Sequence, residues 1–541
     1  MRLRSFFSLL GLLLLFSGTG FAAAPAPRAE ENPPPGPDRY AVVQVDYTEY
    51  RWRMATWQGR KLACYVVIDH EGNPTLEEVY RDCGEKVYQT WVEQEPCNIK
   101  QMGLCEGYYL RFINEQDKSK TVGMELAIAT AWVSLEDCRP VLSAATNVCE
   151  SEPTLVITGE EPLPNESINR IEGTYDGQPF RCDDTNVCKF HVTETPDEGV
   201  PLEFWAYSTY GDSSFVLKAQ VRVKQADEGD PDQLYWYVDV LSSQWRGEVS
   251  ATCSETWGVF PPVRGVPQWL TTPTDSAKLS SDIPYAYLAA KLIRQGAADA
   301  RACPDGGINA DGGANACGLS KSRAAMRAWQ NQFDELILNV AQETAVPARL
   351  LKNLFARESQ FWPGIYQSMS DAGLGQLTEN GADTTLFWNE DFFNQFCPLI
   401  LNEESCGNGY MFLAEEDQLT LRRALVSSVN ASCEDCPLGL DLTQANFSVE
   451  VFAHTMTANC AQTAQVIYNY TGQTVDALAS YEDLWKFTLV NYNAGGGCLS
   501  EAVSGAYSRN EDLTWGNVSK YLTGACSGAV GYVNDISKAS Q

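Results

Sequence analysis

The chain has 541 residues, 44% of them apolar, with 39 basic against 70 acidic side chains and a net charge of −31. This composition is globular and excludes a disordered or collagen-like chain; at roughly 100–200 residues per domain it holds about three domains. The acidic balance disfavours nucleic acid and anionic membrane as partners, because like charges repel. The three histidines, His70, His191 and His454, are far apart in sequence, which argues against a histidine-rich metal centre.

At the N-terminus, Arg2 and Arg4 precede an apolar run over residues 6–16 and small residues around Gly20-Phe21-Ala22. This reads as a signal peptide over residues 1–22. The run is short for a membrane span, which needs about 20 apolar residues, and an uncleaved anchor is the alternative. The expected product is secreted or extracytoplasmic, with no stable transmembrane span. Residues 23–39 form a Pro-rich linker.

Residues 40–150 read as a mixed α/β region, with a buried strand over 64–69 and a short helix over 74–80. Residues 151–258 are β-rich. Phe215, Leu217, Ala219, Val221 and Val223 alternate with Lys218, Gln220, Arg222 and Lys224, a period of two that marks half-buried strands. The expected form is a β-sandwich of immunoglobulin-like type. Trp205, Trp236 and Trp245 read as its core, with glycan contact as the alternative. Residues 259–284 read as a Pro-punctuated linker. Helical periodicity begins at Tyr285 and defines a domain over 285–541, so the expected fold class is α+β multidomain. The Asp/Gly-rich stretch 305–313 lacks the first and last ligands of a calcium loop and reads as a turn.

Eighteen cysteines fit an oxidising compartment. Nine lie between Cys64 and Cys253 and nine between Cys303 and Cys526. Both subtotals are odd, so complete pairing needs at least one bridge between the halves; otherwise each half keeps a free thiol. Cys97/Cys105, Cys138/Cys149, Cys182/Cys188, Cys303/Cys317 and Cys397/Cys406 are plausible local staples. Cys433-Glu434-Asp435-Cys436 reads as a disulfide, because no second C-x-x-C or histidine pair accompanies it.

The stretch 345–382 carries the chemistry. Pro347 opens a helix in which Leu350, Leu351, Leu354 and Phe355 recur at helical spacing. Glu358 is four residues beyond Leu354 and three beyond Phe355, so it falls on the same apolar face near the helix C-terminal end. Desolvation and the negative end of the helix dipole raise the pKa of a carboxyl placed there, as general acid catalysis requires. The bland alternative is a helix that ends early, with Glu358 facing water.

The sequence Glu358-Ser359-Gln360-Phe361-Trp362-Pro363, followed by Ser370-Asp371-Ala372-Gly373-Leu374-Gly375-Gln376-Leu377, resembles the lytic transglycosylases of the soluble, lysozyme-like family (glycoside hydrolase family 23). Their pattern is Glu-Ser-x-Phe-x-Pro, then Gly-Leu-Met-Gln-Leu at the same spacing. Further motifs follow in family order: Ala445-Asn446-Phe447, Val490-Asn491-Tyr492-Asn493-Ala494-Gly495-Gly496 and Gly531-Tyr532-Val533-Asn534. The resemblance covers about residues 325–536 and leaves the N-terminal half unexplained. It implies an all-α lysozyme-like domain in which Glu358 is the catalytic acid/base. Ser359, Gln376, Tyr492 and Asn493 are then the residues that position Glu358 or the sugar. Gly375 stands where the family has Met and would remove a side chain lining the cleft. Residues 384–444 look like an insertion, either a disulfide-pinned lid or wall or a rigid packing element.

The implied substrate is the glycan strand of peptidoglycan. One carboxyl suffices if the substrate supplies the nucleophile, and no metal or organic cofactor is needed. The implied product carries a 1,6-anhydro-MurNAc end. Two other readings stand beside this one: a lysozyme-like hydrolase on the same scaffold, and a non-catalytic glycan-binding wall or surface protein with a decayed site.

Overall fold

The protein is seen here in a computed structural model that describes residues 34–97, 105–141, 146–227, 234–246, 253–263, 265–364 and 371–538. The expected signal peptide, most of the expected linker over 23–39, and Ser370 lie outside the described residues. The architecture is α+β and multidomain, with antiparallel sheets first and helices after.

Strands β1 (Tyr40–Thr56), β2 (Leu62–Ile68) and β3 (Tyr108–Glu125) form a three-stranded antiparallel sheet in the order β2-β1-β3. Helices α1 (Leu76–Cys83) and α2 (Glu85–Glu93) lie between β2 and β3 in the chain. Thr75 and Glu78 close the start of α1 by bonding each other's backbone N–H, which satisfies two orphan donors. The buried core of this unit is Met54, Val66, Ile68 and Val79. Cys64–Cys83 ties α1 to β2.

The second unit is built from β4 (Thr130–Val141), β5 (Thr146–Glu160), β6 (Ile168–Tyr175), β7 (Gln178–Asp183), β8 (Val187–His191), β9 (Val200–Ser208), β10 (Leu217–Asp227) and β11 (Leu234–Leu241). They form one antiparallel sheet, β4-β5-β11-β10-β9-β6-β7, with β8 on β5. It begins at Thr130, earlier than the boundary at 151, and it is one curled sheet where two immunoglobulin-like sheets were expected. Strand β5 is the reason. Its Asn147, Val148 and Cys149 pair with β11, whereas residues from Thr154 to Thr158 pair with β8. Period-two alternation says which face of a strand is buried; it does not say whether the buried faces belong to one sheet or two. Ala219, Val221 and Val223 are buried as the alternation predicts, and Trp236 and Trp245 pack against this core. Phe215 lies before β10 and is exposed, while Arg222 is buried against Asp239 and the Pro261 carbonyl.

The expected linker over 259–284 is a packed strap. Trp269, Leu270 and Leu279, with Trp257 of the short helix α3 (Ser254–Trp257), are buried in the core of the helical domain. Proline punctuation removes periodicity, but isolated Trp and Leu side chains still bury area at about 25 cal/mol per Å². The last residues before β1 are anchored as well: buried Arg39 forms ion pairs with Glu161 and Asp212 of the curled sheet.

The helical domain runs through α4 (Ala286–Arg294), α5 (Ala316–Asn331), α6 (Asp334–Thr344), α7 (Ala348–Ser359), α8 (Glu379–Trp388), α9 (Glu390–Phe396), α10 (Glu403–Cys406), α11 (Glu415–Ser428), α12 (Leu442–Thr471), α13 (Tyr481–Tyr507), α14 (Trp515–Val518) and α15 (Gly528–Lys538). The long α12 and α13 pack together, with α8 and α6 against α12 and α15 against α13 and α7. All eighteen cysteines are paired. The local staples form as expected, and of the two outcomes the odd subtotals allow the structure has the bridge between the halves, Cys253–Cys460. Among the described residues, no helix is long and apolar enough to cross a membrane.

Candidate active site

Helix α7 carries the candidate acid. Leu350, Leu351, Leu354 and Phe355 are fully buried, and the helix continues past Glu358 to Ser359. The chain then turns sharply. Gln360 and Phe361 are consecutive non-glycine residues in the left-handed region, at φ 49° and 64°. Such positions cost of order 1–3 kcal/mol each and persist where surrounding packing fixes them. Here Phe361 is fully buried against Tyr285, and the Gln360 side chain accepts the backbone N–H groups of Tyr287 and Leu288 at the start of α4.

Opposite α7 lies the loop before α8. Its Ala372 and Leu377 bond each other's backbone, and the Gln376 N–H donates to the Gly373 carbonyl. Ser359 Oγ donates to the Leu374 carbonyl at 2.6 Å, and the Leu374 N–H donates to Ser448 Oγ on α12 at 3.0 Å. These bonds set the distance between helix end, loop and α12. Tyr492 Oη on α13 donates to the Gly375 carbonyl at 2.5 Å and fixes the loop from the other side. Gly495 (φ 83°, ψ 163°) breaks α13 after Asn493 and Ala494, which turns that segment toward the loop.

Between these elements is a cleft of about 390 Å³. Glu358, Asp371, Gln376, Tyr492 and Asn493 line it together with Thr455 and Asn459 of α12. Glu358 is half-buried, and Tyr532 Oη of α15 donates to its Oε1 at 2.5 Å. Burial raises the Glu358 carboxyl to about 7. The Tyr532 hydroxyl and Arg357 pull it down, and Asp371 pushes it up. Burial, reinforced by the Glu358 charge, holds the phenols of Tyr492 and Tyr532 well above their ordinary range. Both remain neutral donors when the carboxyl ionises. The site therefore offers one carboxyl that changes protonation near neutrality, among hydroxyl and amide groups suited to a polyhydroxylated ligand.

The sequence-derived residues converge on one region. Glu358, Gln376, Tyr492 and Asn493 face the cleft. Ser359 is fully buried and does not line it; it acts by tying α7 to the loop. Gln376 Nε2 donates to the Gly373 carbonyl at 2.7 Å, so it stabilises its own loop while lining the cleft. Gly375 requires a correction. A Cβ there would meet Phe452 at 2.5 Å and Tyr492 Oη at 2.8 Å. A larger side chain would collide with the core instead of lining the cleft, because Phe452 already fills that space. The segment 384–444 packs behind the site. Phe392, Phe393, Leu421 and Leu425 are buried in the shared core, and Thr384 is the residue of this segment that reaches the cleft.

Tyr532 is the principal functional group that residue-level reasoning left unassigned, although its Gly-Tyr-Val-Asn motif was visible. Only the return of α15 against α7 brings it to Glu358, across 174 residues of sequence. Thr455 and Asn459 on the cleft wall carried no sequence signal, being a hydroxyl and an amide on a long helix, while Asn491 sat inside a quoted motif without an assigned role. No protein-family model matches this chain, and no curated protein sequence matches it.

Proposed function

We propose that the helical domain cleaves the glycan strands of peptidoglycan as a lytic transglycosylase. The bond is MurNAc-β-1,4-GlcNAc, and the product end is 1,6-anhydro-MurNAc. The observation that carries this reading is a desolvated carboxyl, Glu358, pinned by a phenol inside a polar cleft. Tyr532 engages Oε1, so Oε2 is the oxygen that would meet substrate. Protonated Glu358 donates to the glycosidic oxygen as the C1–O bond breaks and the MurNAc ring gains oxocarbenium character. The carboxylate so formed takes the proton from the C6 hydroxyl of the same MurNAc. That oxygen then bonds to C1, no water is consumed, and Glu358 is again protonated. The motif order along residues 325–536 supports the same class. The signal-peptide reading and the disulfide content support work outside the cytoplasm.

One observation favours a second reading. Asp371 lines the same cleft and its charge acts on Glu358. A second carboxylate could activate water and make the enzyme a lysozyme-like hydrolase. Digestion of purified peptidoglycan by the mature protein, with product masses measured, tests both. Anhydro ends support the transglycosylase, and products heavier by one water support the hydrolase. Binding to sacculi with no release of muropeptides would refute both and leave a glycan-binding protein.

A further inference from the structure

The cleft that holds Glu358 is lined from the stretch 358–495, which has 18 acidic side chains against three basic ones, Arg422, Arg423 and Lys486. Each of the three is held by a carboxylate of its own: Arg422 by Asp383 at 3.0 Å, Arg423 by Glu379 at 3.2 Å and Lys486 by Glu482 at 2.7 Å. Arg357, one residue before Glu358, pairs with Asp535 and lies over the Tyr532 ring. His454, the one histidine of the stretch, packs on Phe392, and burial holds its ring below the ordinary histidine range. Among the described residues, no Lys, Arg or His lines the cleft. Its wall is two carboxyls, Glu358 and Asp371, among amides, hydroxyls and aliphatic groups. Asn459 is only 3% exposed; its Nδ2 donates to the Thr455 carbonyl at 2.8 Å, while its Oδ1 takes no hydrogen bond from the described residues. A buried acceptor so placed is left for a ligand N–H or O–H.

A sugar ring that carries neutral N–H and O–H groups suits this wall, because amide and carboxylate oxygens accept from both. A ring that carries a carboxylate does not. It gives up water on entry, finds no guanidinium or ammonium to pair with, and meets Asp371. Like charges within about 6 Å of each other still repel strongly at the effective dielectric of a partly buried site, and such repulsion is a means of specificity. The charge of Asp371 reaches the middle of the cleft, since it acts on Glu358. Peptidoglycan strands present both kinds of ring. The lactyl group of MurNAc sits on ring C3, so its carboxyl enters the cleft with the ring. Where a stem peptide is attached, that carboxyl is an uncharged amide; where the peptide has been removed, it is a free carboxylate. The peptide's own carboxylates lie beyond its first residue, toward solvent, where salt screens charges over about 8–10 Å.

We propose that Asp371 is a specificity-determining residue, through which the cleft selects glycan strands whose lactyl carboxyls are capped as amides and rejects strands that bear them free. The choice of polymer rests on the glycan-cleaving reading. The test compares three soluble strands: peptide-bearing, stripped of peptide by an amidase, and stripped and then coupled to methylamine, which caps the carboxyl without restoring a peptide. With the mature chain at about 0.05 M salt, kcat/KM for capped strands should match that for peptide-bearing strands and exceed that for free strands at least about tenfold. Asp371→Asn should shrink the capped-to-free ratio at least about fivefold; a ratio cancels any loss of activity that the two strands share. Salt at about 0.5 M should shrink the same ratio in the unmodified chain. Equal cleavage of capped and free strands would overturn the proposal. So would capped strands cut as poorly as free ones while peptide-bearing strands are cut well, because the cleft would then read peptide and not charge. A ratio that neither Asp371→Asn nor salt moves would overturn it too. Binding of the three strands to the Glu358→Gln chain reads the selection without turnover. If the intact chain cut none of them and that binding still favoured capped over free strands, glycan cleavage would fall and the charge selection would stand.

Discussion

The three-stranded unit buries Met54, Val66, Ile68 and Val79 as its core, whereas α7 alone buries Leu350, Leu351, Leu354 and Phe355 in the helical domain. The first unit leaves Val42 (73%) and Met124 (51%) exposed on a long β1/β3 ribbon, and it depends on the Cys64–Cys83 cross-link. The helical domain has burial to spare. It supports two successive left-handed residues, a desolvated carboxyl and the buried pair of Lys352 with Asp334. Such features are destabilising by themselves, and only a large core holds them in place. Candidate chemistry is therefore found where the core is large enough to hold such features in place.

The largest effect expected is at Glu358. Glu358→Gln should lower glycan cleavage at least about 10³-fold, roughly 4 kcal/mol of barrier, in a product-release assay. The same change should stabilise the helical domain. The folded carboxyl titrates near 7 against an ordinary 4.5. Its ionisation therefore costs stability as pH rises from about 4.5 to about 7, and that cost is absent below this window. Glu358→Gln should accordingly raise stability by about 3 kcal/mol at pH 8 and by little at pH 4, measured by chemical unfolding. Equal stabilisation at both pH values would remove the buried-carboxyl interpretation.

Next in size is Leu354→Ala, which should cost the helical domain about 3–5 kcal/mol and leave amide protection in β1–β3 unchanged. Joint loss in both regions would break the comparison between two separately stabilised units. Removing the staple with Cys64→Ser and Cys83→Ser should cost about 2–4 kcal/mol. Hydrogen exchange should place that loss in residues 40–125, with glycan cleavage unchanged. A loss of activity there would mean that the small unit serves the cleft.

The smallest effect sharpens the site itself. Tyr532→Phe removes a hydrogen bond that favours the ionised carboxyl. The Glu358 carboxyl then rises further, and the alkaline limb of the pH–rate profile, which reports loss of the acid form, moves to higher pH. The rate at neutral pH should fall about tenfold, near 1–2 kcal/mol. A limb that stays in place would show that Tyr532 does not tune Glu358.

Much of the helical domain was legible. The Leu350/Leu351/Leu354/Phe355 stripe announced α7 and put Glu358 on its buried face, because a 3.6-residue period is written in local spacing. Gln376, Tyr492 and Asn493 were legible as motifs but not as neighbours. Ser359 was legible as a site residue, but the sequence left open whether it positions Glu358 or the sugar, since no local pattern tells a side chain in the cleft from one buried behind it. The curled sheet was misjudged for a similar reason: alternation in β10 describes one strand, while the partner change along β5 is a property of the whole sheet. The strap over 259–284 was read as linker because Trp269 and Leu279 bury themselves singly, without periodicity.

What the sequence determined by itself is whatever short range specifies: the helix that bears Glu358, the strand faces, and six local cysteine staples, whose sequence separations are 14 residues or fewer. Counting alone left two outcomes, a bridge between the halves or a free thiol in each. The tertiary structure alone chose Cys460 as the partner of Cys253 and set Tyr532 against Glu358. Those contacts join distant segments whose meeting depends on how whole helices pack, and packing is decided by the sum of many weak contacts that no local pattern records.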